Sequence, residues 1–125
     1  MTFLKIATLV LVSGAAMAQD APVRFQCEGK LQLESPKTGS EIEPFSIEIK
    51  NKAVKLSGLS NLEANFSLIQ EDEQYYVFKN ARKTQGGNID RPSGKLYLYV
   101  LDKDAHKITL SINGLCTKET NRARF

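Results

Sequence analysis

Histidine, cysteine and tryptophan are nearly missing from this chain: one His, two Cys and no Trp in 125 residues. The scarcity is informative about chemistry. A structural or catalytic metal site needs several His, Cys, Asp or Glu ligands converging at suitable spacing. His106 stands alone in a turn-like stretch beside Asp104 and Lys107, so neither a Ser-His nor a Cys-His pair has an evident partner. No phosphate-cradling loop is present, because Gly86-Gly87 is not followed by the Lys-Ser/Thr that such a loop uses. A carboxylate pair of the glycoside-hydrolase kind depends on a separation that sequence does not fix. The reading is a protein without catalysis and without a cofactor or metal.

Long apolar runs are scarce as well. The one that exists, Ile6–Val12, follows Lys5 and leads to Ala16-Met17-Ala18. A basic start, a short apolar middle and an A-x-A end form the layout of a secretory signal peptide, too short to serve as a membrane anchor. Residues 1–18 are therefore expected to be removed, leaving 107 of the 125 residues and a periplasmic or secreted protein. Loss of Lys5 lowers the formal net charge from +3 to +2. So mild an excess does not describe a nucleic-acid-binding face, which needs concentrated basic charge. Lys79 to Lys95 is locally basic, and Glu71-Asp72-Glu73 forms an acidic spot.

In an exported chain an even cysteine count favours a disulfide, and with Cys27 and Cys116 only one pairing exists. It joins the first and last segments of a single domain, expected over residues 19–116, with 117–125 as a flexible basic tail.

What the chain does have is alternation. Val23, Phe25, Cys27, Gly29, Leu31 and Leu33 alternate with Arg24, Gln26, Glu28, Lys30 and Gln32. This is a strand with one wet face. The same period marks Phe45 to Ile49, Val54 to Leu56, Lys95 to Leu101 and Lys107 to Cys116, and Asn51-Lys52 offers a tight turn. Phe66 to Gln70 and Gln74 to Lys79 are two further short strands, although Leu68-Ile69 and Tyr76-Val77 put apolar residues on both faces. Ser60 and Glu63 have capping-box spacing, which predicts one helical turn. Ala81 to Ser93 reads as a long connection. About seven strands with tight turns describe an all-β antiparallel meander closed into a small barrel, with a two-sheet sandwich as the alternative. Asn65-Phe66-Ser67 matches a glycosylation acceptor by chance in a chain whose leader looks bacterial.

Asp90-Arg91-Pro92-Ser93-Gly94 is the cluster with binding potential. Pro92 and Gly94 shape a corner, while Arg91, Ser93, Lys95 and Tyr97 supply hydrogen-bonding groups. Arg91 is expected either to face a partner or to fold back on Asp90 or on strand carbonyls. With its flanking cysteines, the cluster resembles small exported bacterial β proteins of unknown function that carry an Asp/Asn-Arg-x-Ser/Thr-Gly step before a late strand. Ser93-Gly94-Lys95-Leu96-Tyr97 is also similar to the S-G-x-x-Y motif of the periplasmic inhibitors of c-type lysozyme. That resemblance implies a disulfide-bonded barrel that inserts a loop into the lysozyme cleft, with Ser93 and Tyr97 as the matching positions. The absence of Trp and the positive charge depart from it. The expected function is binding of a protein or cell-envelope partner through a loop face, by a monomer or weak dimer. A carrier of a small apolar ligand, with a cavity lined by Phe45, Phe66 and Phe78, is a further alternative.

Overall fold

The computed structural model describes residues 21–34, 37–102, 104 and 106–119. The expected leader therefore lies outside the described residues, as do residues 120–125 of the expected tail. The described residues form nine strands, all paired antiparallel. They are β1 (Val23–Glu34), β2 (Lys37–Glu41), β3 (Phe45–Lys50), β4 (Ala53–Ser57), β5 (Asn65–Glu71), β6 (Tyr75–Lys79), β7 (Gln85–Asp90), β8 (Lys95–Leu101) and β9 (Ile108–Lys118). No helix occurs among the described residues.

β1 decides the architecture. One of its edges pairs with β9 from Phe25 to Leu33. Its other edge is shared, with β3 taking Val23–Cys27 and β2 taking Lys30–Glu34. Eight strands thus close into a barrel, and β2 is attached outside the ring. The β1–β9 pairing excludes the sandwich. Cys27 and Cys116 face one another in that pairing and form the expected disulfide, 89 residues apart in sequence. Loop-closure entropy at that separation is worth roughly 4 to 5 kcal/mol.

The barrel is filled rather than hollow. Alternate residues point inward, and Ile47, Phe78, Ile89, Leu98 and Ile112 have no measurable exposure. Phe66 meets Phe78 edge to face, 5.6 Å between ring centres, as Phe25 meets Tyr76 at 6.0 Å. Phe45, Phe66 and Phe78 are core residues, and none of them lines any of the four main cavities.

Several local expectations need correction. The segment between β4 and β5 forms no helical turn. The Glu63 N–H donates across the barrel end to Gln85 Oε1 (2.7 Å), and Leu62 is buried. Adjacent Leu68 and Ile69 are explained by a bulge between Leu68 and Gln70, which leaves Ile69 out of register and 56% exposed. The stretch read as a long connection contains β7. Its Gly86-Gly87 allows close approach of β8: a Cβ at Gly87 would collide with the Tyr97 carbonyl oxygen. β2 is the other addition to the expected seven strands. β9 continues to Lys118, so Thr117 and Lys118 belong to the barrel rather than to a tail. Asn51 and Lys52 form the expected turn, with φ of 52° and 72°.

Candidate functional site

Antiparallel order places the β5–β6 and β7–β8 turns at one barrel end, together with the start of β1 and the end of β9. There the two turns are laced to each other. The Arg91 N–H donates to the Gln74 carbonyl (2.7 Å), and Arg91 Nη1 donates to the Asp72 carbonyl (2.6 Å). The guanidinium carbon lies 4.3 Å from the centre of the Tyr76 ring, a cation–π placement. Arg91 therefore folds back on a carbonyl, that of Asp72, while its side chain stays at the surface.

Asp90 organises the β7–β8 turn. Its carboxylate accepts from the Ser93 hydroxyl and from Gln74 Nε2, and its carbonyl accepts the Gly94 N–H at 2.7 Å. Ser93 Oγ in turn accepts the Lys95 N–H at 3.1 Å. Asp72 plays the same part in the neighbouring turn, accepting the Tyr75 and Gln74 N–H groups (2.8 and 2.9 Å) and Gln70 Nε2 (2.9 Å). These donors hold both carboxyls below the usual range. The Tyr75 N–H contributes most at Asp72, and the Ser93 hydroxyl most at Asp90.

Between these turns and β9 opens a cavity of about 530 Å³. Arg91, Ser93, Lys118 and Glu73 border it, Phe25 and Tyr76 supply apolar wall, and Cys116 of the disulfide also lines it. Two cations and one anion, with the Ser93 and Thr117 hydroxyls, suit an anionic or hydroxylated group. Among the described residues, no three His, Cys, Asp or Glu side chains converge as metal ligands, and no helix is long and apolar enough to cross a membrane.

The four predicted site residues separate. Arg91 and Ser93 share this cavity. Lys95 lies across from Leu115 and borders a lateral groove of about 670 Å³ with Glu28, Lys30 and Glu41. Tyr97 lies on the side wall, paired in register with Asn88 and Asn113, its ring 6.0 Å from that of Tyr99, and lines neither cavity. Nearby Tyr99, covering Gly86, has its phenol pushed upward by burial. Lys118 and Tyr76 were not expected at the site. The signal for Lys118 was present, since the inward parity of Ile112, Gly114 and Cys116 continues to it. Compared with protein families, with curated proteins and with solved structures, the chain matches none.

Proposed function

We propose that the protein is a non-catalytic binding protein, exported to the periplasm or beyond after removal of residues 1–18, that engages an anionic group of a protein or cell-envelope partner at the Arg91–Lys118 end of its barrel. The observation that carries the reading is the preorganised guanidinium. Arg91 is held by Tyr76 and the Asp72 carbonyl at the mouth of a concave site, with only one guanidinium nitrogen engaged among the described residues. A donor fixed before binding loses little rotamer entropy on contact. The lowered pKa of Asp72 and of Asp90 keeps both carboxyls ionised as hydrogen-bond acceptors, which suits the turns they hold and not the role of a general acid near neutral pH, for which a raised pKa is needed. The disulfide is compatible with an oxidising compartment.

The test is capture from envelope extract by the chain beginning at Gln19, set against an Arg91→Ala/Ser93→Ala variant. Capture that falls with the double substitution and with added salt supports the site. Equal capture by both proteins, or capture indifferent to salt, refutes it.

One observation favours the lysozyme-inhibitor reading: a closed, disulfide-bonded barrel is what the S-G-x-x-Y resemblance implies, and Ser93 is exposed in a turn at one barrel end. Tyr97 does not join Ser93 there, so Ser93 and Arg91 would have to make the cleft contact. Cell-wall lysis by a c-type lysozyme, measured with and without the protein, decides between the readings. Inhibition that requires Ser93 selects this one, and undiminished lysis removes it.

A further inference from the structure

β2 is the open edge of an otherwise closed sheet. Among the described residues it pairs only with β1, all five of its own residues are exposed, and no other backbone group bonds to it. The Ile42 N–H donates to the Gly29 carbonyl, and Ile42 follows β2 in the same register. Hydrogen-bonded pairs alternate along an antiparallel ladder. Thr38 and Ser40 therefore bond to β1, whereas Lys37, Gly39 and Glu41 aim their N–H and C=O groups outward.

We propose that this edge pairs with the same edge of a second copy, antiparallel about Gly39, to form a weak two-fold dimer. The sequence Lys37-Thr38-Gly39-Ser40-Glu41 is self-complementary in that arrangement and not in a parallel one. Antiparallel pairing centred on Gly39 sets Lys37 across from Glu41 of the second copy, and Glu41 across from its Lys37. Parallel in-register pairing sets Lys against Lys and Glu against Glu. The outward backbone groups are those of Lys37, Gly39 and Glu41, which are the residues that such a register bonds. Gly39, on the axis, brings no side chain that could clash.

Within one chain the same faces already alternate in sign. Glu34 stands opposite Lys37, and Lys30 opposite Glu41. The dimer would extend each row to four charges of alternating sign across four strands. Elsewhere on the barrel wall, a cross-strand pair of this type does close: Arg24 and Glu48, partners in register, lie 3.1 Å apart. A short edge strand bearing lysine also discourages indiscriminate edge pairing. Here the charge order selects one partner and one register. Five residues a side bury far less than a standard interface, so the association is weak and concentration-dependent.

The experiment is sedimentation of the chain beginning at Gln19 over a concentration series reaching about 1 mM, alongside melting curves. Wild type should move from one chain toward two as concentration rises, and return toward one in high salt. Lys37→Glu and Glu41→Lys should each sediment as single chains. Their equimolar mixture should recover the dimer, because both acidic side chains on the edge of the first variant then face lysines on the edge of the second. Gly39→Pro removes an N–H that does not bond β1, so it should keep the wild-type melting temperature while losing the dimer. A wild type that stays a single chain to the highest concentration overturns the proposal. So does a dimer that persists in Gly39→Pro, or a mixture that fails to recover what the single variants lost.

Discussion

Gly94 is fastened to Cys116: its carbonyl accepts the Cys116 N–H at 2.7 Å, and a Cβ at Gly94 would collide with the Cys116 carbonyl oxygen. The turn carrying Arg91 and Ser93 is thus tied by one backbone contact to the strand that carries the disulfide. Gly94 has φ of +81°, the left-handed region that L side chains enter at a cost. Corner and staple form a single unit, and that unit sets the position of the Arg91 guanidinium at the barrel mouth.

Gly94→Ala should therefore destabilise the fold twice over. The left-handed conformation costs about 1 to 2 kcal/mol for a residue with a Cβ, and the clash is with backbone rather than with a movable side chain. Urea unfolding should show a lower midpoint with an unchanged slope. An unchanged midpoint would mean that the turn relaxes freely and is not fixed to β9.

The two turn aspartates predict a dependence on acid. Both carboxyls have their pKa lowered by the fold, chiefly by the Tyr75 N–H at Asp72 and by the Ser93 hydroxyl at Asp90. The unfolded chain then takes up protons at higher pH than the folded one. Their contribution is complete above the ordinary carboxylate pKa and is lost as pH falls through the lowered folded value. Asp72→Asn/Asp90→Asn should melt below wild type at neutral pH, and the gap should close on acidification to about pH 3 or lower. A gap of equal size at both pH values would show that these hydrogen bonds do not depend on the charge.

The strands with strict alternation were legible because a period of two reports directly on burial: Phe25, Cys27 and Leu31 are buried where parity placed them, as are Ile47, Leu98 and Ile112. β7 was illegible because Gly86-Gly87 carries no side chain to alternate, although glycine is what the approach of Tyr97 and Tyr99 requires. β2 was illegible because Lys37–Glu41 has no apolar residue; it is a strand only through its pairing with β1. At the site, the corner was visible in Pro92 and Gly94. The contact between Arg91 and Tyr76 was not, since it joins the β7–β8 turn to a β6 residue 15 positions earlier in sequence through sheet register alone.

Arg91 supports the turn and is also proposed to meet the partner, and these roles can be separated by two substitutions at the same position. Arg91→Ala removes the packing on Tyr76 and the bond to the Asp72 carbonyl. At an exposed site the first is worth about 0.5 to 1 kcal/mol and the second about 1 kcal/mol. A loss of that size in a domain of about 100 residues lowers the melting temperature by roughly 5 °C or more. Arg91→Lys keeps the charge and can still lie over Tyr76, but it loses the planar fork that reads a carboxylate or phosphate through two parallel bonds. Its melting temperature should fall between those of wild type and Arg91→Ala. Binding is compared at a temperature where all three proteins are fully folded. If Arg91 meets an anionic group, Arg91→Lys should bind measurably more weakly than wild type, and Arg91→Ala more weakly still. If all three bind equally while their melting temperatures differ, Arg91 serves the turn alone, and the partner contact has to be sought at Lys118 or along the lateral groove beside Lys95.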